Sequence, residues 1–270
     1  VSIAHSRAGS GEPLVLIHGL GGSRRIWDPV LDRVAAERDV VTVDLPGFGE
    51  SPPLTDGVAP TAANLGAAVG ELCAELGIER PHLAGNSLGA WAALELAKGG
   101  AVASVCGISP AGLWRRPLGP RRIDSHGWAL RLRPLMPALL TSSRLRSRFL
   151  STTVARPERL TTAEAKDVVR DWLDAPGYAA ANEEMRSHVF EDPALVTVPT
   201  TIAWGTEDGL VGRPRRERMP PGARYIELEG LGHTPTWDDP TRIAELLLDA
   251  SAQSSVESGR SSPGQAPVDE

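Results

Sequence analysis

Six short apolar runs of β type, separated by longer stretches of helical periodicity, set the strongest limit on what this chain can fold into. The runs fall at residues 13–17, 40–43, 81–85, 102–108, 200–204 and 224–228. The first, PLVLI, is apolar throughout, which suits a strand buried on both faces. Helical patterns occupy about 26–38, 61–76, 88–98 and 240–250. This alternation predicts an α/β fold, a mostly parallel central sheet with helices on both faces. A chain of 270 residues has the length for one such core plus an insertion.

The rhythm breaks between about Gly112 and Pro193. That stretch carries 14 basic and 10 acidic residues, a balance of +4 in a chain of net charge −6, which leaves −10 on the remainder. Its apolar residues recur at helical spacings, and prolines at 117, 120, 134, 137, 157 and 176 divide it into short helices. The expected organisation is therefore a core of residues 1–111 and 196–250, with residues 112–195 inserted as a helical cap or lid. Residues 251–270, rich in Ser, Gly and Pro, are expected to form a disordered tail.

Several classes of function fall away on composition. A mildly acidic chain has no general attraction to phosphate backbones, so nucleic acid is not expected as a partner. No run of 18 apolar residues occurs, so no membrane span is expected. The two cysteines, Cys73 and Cys106, read as free buried thiols, and a cytoplasmic location is expected. His and Cys lack metal-ligand spacing, and no glycine loop precedes a Lys-Ser/Thr pair, so neither a metal nor a cofactor is expected.

The chemistry concentrates at the ends of the runs. Gly85-Asn86-Ser87-Leu88-Gly89 matches G-x-S-x-G and stands between an apolar run and a helical pattern. Glycines two before and two after the serine permit a tight strand-to-helix turn, and the start of the following helix offers an N–H to a developing oxyanion. His18-Gly19-Leu20-Gly21-Gly22 follows the first run and brings a second N–H, that of Leu20, toward the Ser87 hydroxyl. His18 reads better as a partner of loop backbone than as a catalytic base. A serine nucleophile needs a base, and the base needs an orienting group. Acids follow the fifth run in Trp204-Gly205-Thr206-Glu207-Asp208, and His233 follows the sixth in Gly230-Leu231-Gly232-His233. Both loops open at the sheet edge where open α/β sheets bind ligands.

These motifs, together with DLPGFGES at 44–51 and GLGHTP at 230–235, resemble those of the α/β-hydrolase fold serine hydrolases, and the resemblance runs from about residue 2 to residue 250. It implies Ser87 as nucleophile, Asp208 (in preference to Glu207) as acid and His233 as base, with the backbone N–H groups of Leu20 and Leu88 as oxyanion hole. Few residues precede the first run, so the hairpin that usually opens this fold is expected to be short or partly missing.

The activity that follows is hydrolysis of a carboxylic ester, thioester or lactone of a small molecule through an acyl-enzyme on Ser87. Asn86 before the serine also resembles a subgroup that cleaves C–C bonds of vinylogous diketones. A receptor that retains the triad is the non-enzymatic alternative. Ser87 argues against dehalogenases and epoxide hydrolases, whose nucleophile is an aspartate. Trp128, Leu132, Leu135, Met136 and Leu139 are candidate walls of a substrate pocket beneath the insertion, although apolar residues at helical spacing are more often core. Arg115, Arg116, Arg121 and Arg122 form a basic cluster that suits an anionic or carrier-protein-bound substrate, or simply a solvated surface.

Overall fold

Each of the six runs is a strand in the computed structural model, which describes residues 2–120 and 125–252. They are β2 (Pro13–Ile17), β3 (Asp39–Val43), β4 (His82–Asn86), β5 (Ser104–Ile108), β6 (Thr200–Gly205) and β7 (Arg224–Leu228), parallel wherever they pair. A further strand, β1 (His5–Gly9), lies antiparallel to β3, and the sheet order is β1-β3-β2-β4-β5-β6-β7. The opening strand is thus short, and it pairs with β3 instead of making a hairpin with β2. Its largely exposed sequence, HSRAG, has no apolar alternation to betray it.

Burial on both faces explains the continuous apolar runs. Val15 and Ile17 of β2 point into one layer with Val41, Val43, Leu83, Val105 and Ile202, while Leu14 and Leu16 point into the other with Val40, Ala84 and Cys106. The first layer is closed by α2 (Ala62–Glu75) and α3 (Leu88–Ala97), the second by α1 (Asp28–Ala35) and α9 (Pro240–Ala252). Thr61 caps α2 by accepting from the Asn64 amide. Cys73 lies in the first layer and Cys106 in the second, both as free thiols. Burial pushes their ionisation up to about 11 and about 12, so both stay unreactive thiols. Helix α9 runs to Ala252, two residues into the expected tail; residues 253–270 lie outside the described residues.

Between β5 and β6 the chain is helical, with α4 (Ser125–Arg131), α5 (Met136–Leu139), α6 (Ser143–Leu150), α7 (Thr162–Leu173) and α8 (Tyr178–Ser187). A reciprocal Thr161–Glu164 capping box starts α7. These helices bury a small core of their own around Met136, Leu140, Leu150, Val154, Val169 and Leu173. They are tied to the sheet domain by polar contacts. Ser23 donates to Asp171 at 2.5 Å, and Arg25 pairs with the same carboxylate at 2.6 Å. The Gly177 amide donates to the Gly47 carbonyl at 2.9 Å, where a Cβ on Gly177 would lie 2.9 Å from Gly47 Cα.

The tightest tie is Asp238. Its fully buried carboxylate accepts from the amides of Gly232 (2.8 Å), Ala155 (3.1 Å) and Arg156 (2.8 Å), and its carbonyl accepts from the Arg159 guanidinium. Thr234 donates its amide to the Thr153 carbonyl at 2.7 Å alongside. One acid thus joins the loop before α9 to the chain between α6 and α7.

Two predictions follow from this packing. Replacing Asp238 by Ala leaves three amide donors without their acceptor, and a loss of about 3 kcal/mol or more is expected in urea unfolding, with Asp238→Glu losing less. The second concerns His18 and His82, both buried, with burial as the chief cause holding each imidazole below its ordinary value. The unfolded chain then takes up protons near pH 6.5 that the folded chain refuses. Stability is therefore full above about pH 6.5 and falls as pH drops toward the folded values, by up to about 1.4 kcal/mol per pH unit for each group. Unfolding measured between pH 8 and pH 5 (about those limits) should show this slope, and His82→Gln should reduce it.

Candidate active site

Ser87 stands between the last residue of β4 and the first of α3, with φ +55° and ψ −116°. A non-glycine residue at this φ is strained, and the surroundings hold it there. The Ser87 amide donates to the Ile108 carbonyl at 2.9 Å, and its carbonyl accepts from Ala111 at 3.0 Å and Trp91 at 3.1 Å. The two flanking glycines are required by contact. A Cβ on Gly85 would overlap the backbone of Gly89 and Ala90, and one on Gly89 would overlap the carbonyls of Ile17 and His18. α3 therefore starts hard against the end of β2.

That approach also brings the 18–22 loop to the serine. A Cβ on Gly19 would sit 3.0 Å from the Ser87 Cβ. His18 is buried, with Nε2 accepting from the Leu45 amide at 2.9 Å and Nδ1 facing the Gly19 carbonyl at 2.7 Å. These bonds require a neutral ring with the proton on Nδ1, so His18 braces the loop and is no base. Leu20 follows directly on this loop. Leu88 is the first residue of α3, so its N–H precedes the helix's own ladder.

Acid and imidazole arrive on neighbouring loops after β6 and β7. Gly205 allows their contact, since a Cβ there would overlap the carbonyls of Leu231 and Gly232, and the Glu207 amide donates to Leu231 at 3.0 Å. His233 Nδ1 lies 2.7 Å from Asp208 Oδ2, with both side chains buried. Asp208 Oδ1 accepts from the Leu210 and Val211 amides, each at 2.9 Å. Burial alone pushes the Asp208 carboxyl up, but the His233 hydrogen bond and charge and the two amides together hold it below the ordinary value. An ionised Asp208 fixes the proton on Nδ1 and leaves Nε2 as an acceptor. Glu207 is exposed to solvent.

Asn86 completes the link. Its side-chain amide donates to the His233 carbonyl at 2.8 Å and the Ile108 carbonyl at 3.2 Å, which ties the histidine loop to the residue before Ser87. The sequence marked Asn86 as a subgroup resemblance and carried no sign of this contact.

The candidate wall residues divide by burial. Met136 is buried in the helical segment's own core, Leu139 packs partly against it, and Trp128, Leu132 and Leu135 are exposed. Helical spacing marks a buried stripe without saying which domain it belongs to. What covers the 18–22 loop is an aromatic group: a Cβ on Gly21 would lie 2.6 Å from Trp172 and 3.2 Å from Tyr178. His126 stacks on Tyr178 at 4.2 Å, and its Nε2–H donates to the Trp172 carbonyl at 3.1 Å. These three come from α4, α7 and α8, and no sequence pattern groups them. Beside them a cavity of about 500 Å³ lies between residues 21–29, α7 and residues 237–240, and neither Ser87 nor His233 lines it. Arg115 and Arg116 are exposed, whereas Arg121 and Arg122 lie outside the described residues. Among the described residues, no three His, Cys, Asp or Glu side chains gather as metal ligands, and no helix is long and apolar enough to cross a membrane.

Comparison with known proteins identifies the family. Residues 14–246 match the profile of the alpha/beta hydrolase family. An epoxide hydrolase of Mycobacterium tuberculosis is 32% identical over 190 residues, covering 64% of this chain and 86% of that protein. A 2-hydroxy-6-oxononadienedioate/2-hydroxy-6-oxononatrienedioate hydrolase of a Pseudomonas species is 28% identical over 92% of this chain and 90% of its own. Among solved structures, a thermophilic esterase from Thermogutta terrifontis superposes with a TM-score of 0.69 at 25% identity, covering 93% of each chain. With its strand order, its serine elbow and a family match over most of its length, the chain belongs to the alpha/beta hydrolase family.

Proposed function

We propose that this hydrolase cleaves a carboxylic ester, thioester or lactone of a small molecule through an acyl-enzyme on Ser87. The observation that carries the reading is the joined set of contacts around the elbow: Ser87 held at positive φ, Asn86 bonded to the His233 carbonyl, and the His233 ring bonded to Asp208. In the first step, His233 Nε2 takes the Ser87 hydroxyl proton as Oγ adds to the substrate carbonyl. The N–H groups of Leu20 and Leu88 receive the oxyanion. The bond to the leaving group then breaks, and His233 returns its proton to that group, which departs as an alcohol or thiol, or stays tethered for a lactone. Water gives a proton to His233 as it adds to the acyl carbon, and collapse releases the acid and restores the serine. Asp208 stays ionised throughout, keeps the imidazole in the right tautomer and stabilises its protonated form.

In this reading, residues 112–195 serve as a lid over the core of residues 1–111 and 196–250. Trp172 and Tyr178, lying against Gly21, are the part of the lid nearest the oxyanion loop. A second reading, C–C bond hydrolysis of a vinylogous diketone, draws support from Asn86 and from the Pseudomonas relative. The epoxide hydrolase name belongs to the mycobacterial relative, and here the elbow residue is a serine.

A panel of activated esters, a lactone, a vinylogous diketone and an epoxide, run beside fluorophosphonate labelling, separates these readings. Ester or lactone turnover with labelling at Ser87 is expected. Labelling without turnover of any substrate would point to a receptor instead. Ser87→Ala should lower kcat about a million-fold and abolish labelling. Asp208→Asn should lower kcat about 10,000-fold with little change in melting temperature, whereas Glu207→Gln should leave it within about twofold.

A further inference from the structure

The outer face of the helical segment carries a pattern that the acyl-transfer chemistry does not use. From residue 125 to residue 157 the sequence holds six arginines (131, 133, 144, 146, 148 and 156) and no Asp or Glu. In a chain of net charge −6, this leaves −12 on everything else. The same stretch holds six of the eleven large apolar side chains that are exposed among the described residues. These are Trp128, Leu130, Leu132, Leu135, Leu145 and Phe149, exposed between 38% and 62%.

The helices that carry them turn their other sides inward. Ala129, Met136, Leu140 and Leu150 from the same short elements fill the segment's own core, so the exposed set is the opposite face and not a frayed interior. The arginines divide in the same way. Arg146 points inward, donating to the Leu140 carbonyl and the Thr162 hydroxyl, and Arg133 pairs with Asp174 at 2.5 Å. Arg131 stacks on Trp128 at 5.0 Å, and Arg131, Arg144 and Arg148 form no ion pair among the described residues. Scattered apolar side chains on a surface need no explanation, but this concentration among arginines, three of which form no ion pair among the described residues, does.

We propose that this face, α4 to α6, docks on an anionic lipid surface. Arginine stems and aromatic rings share the wet edge of a bilayer, where the rings enter the acyl boundary and the guanidinium groups meet anionic headgroups. Charge complementarity selects that occupant. A second copy packed symmetrically would set arginine against arginine with no acid to relieve it. The −12 on the rest of the chain repels an anionic surface, so the molecule can approach it only with this face leading. The proposal holds whichever bond Ser87 attacks, because it concerns where the enzyme sits.

Co-sedimentation of the full chain with vesicles tests it. Vesicles of equal parts phosphatidylglycerol and phosphatidylcholine should bind the protein, and pure phosphatidylcholine vesicles should bind it at least tenfold less. Raising salt from about 0.1 M to about 1 M should release it, because screening shortens the reach of the arginine charges. The double substitution Arg144→Glu/Arg148→Glu, at sites outside the proposed catalytic machinery, should weaken binding at least tenfold while fluorophosphonate labelling persists. Phe149→Ser/Leu145→Ser should weaken it several-fold at about 0.1 M salt, where the wild-type chain is bound. Equal binding to both vesicle types, binding to neither, or unaltered binding by the arginine pair would overturn the proposal. So would a partner effect in which the chain self-associates, or binds an acidic carrier protein, through this face without binding vesicles. If a variant fails to fold, the lipid-composition and salt comparisons on the wild-type chain still decide the matter.

Discussion

The approach of α3 to the ends of β2 and β4 is the constraint on which the rest of the site depends. Two positions lack a Cβ, Gly85 and Gly89, and each faces backbone atoms that a methyl group would overlap. Because the helix starts this close, Ser87 sits in a turn that ordinary residues avoid, and the 18–22 loop lies against it. Backbone strain at a single residue costs of the order of 1–3 kcal/mol, so it persists only where the surroundings fix it. Here the Ser87 amide is engaged by the last residue of β5 and its carbonyl by the turn that follows, which fixes it on two sides.

Around this turn the structure uses polar links to connect elements far apart in sequence. Asn86 and His233 are 147 residues apart, and Asp238 and Ala155 are 83 apart. The first link joins the nucleophile turn to the imidazole loop, and the second joins that loop to the helical segment. A displacement of the helical segment therefore bears directly on the loop that carries His233. The polar character of these ties matters, because a buried carboxylate with three amide donors has one favoured geometry, whereas apolar contact alone tolerates sliding. The same segment exposes Trp128 and Phe149 beside arginines, so a surface bound there would be connected to the site through Asp238.

β2 to β6 were legible from sequence because these parallel strands are buried on both faces and must be largely apolar, whereas the edge strand β7 shows alternation, with Tyr225 and Glu227 exposed. The serine elbow was legible because its geometry restricts Gly85 and Gly89 so severely. β1 was not, since an exposed edge strand needs only backbone pairing and leaves side chains free to be polar. Which face of each inserted helix is buried was not legible either. Trp128 and Leu135 share the helical spacing of Met136, yet only Met136 is buried. Spacing gives the period of a helix, and the phase relative to a partner is set by packing.

By itself the sequence determined the fold class, the order of its strands and helices, and which loops carry Ser87, an acid and His233, because periodicity and glycine placement are local properties of the chain. Resemblance already prefers Asp208 to Glu207, and His18 already reads as a loop partner; only the tertiary structure decided which atoms they meet, and that Asn86 and Asp238 tie three loops together. Those facts depend on which groups from distant segments are brought within hydrogen-bonding distance and sealed from water, and no local pattern encodes such a meeting.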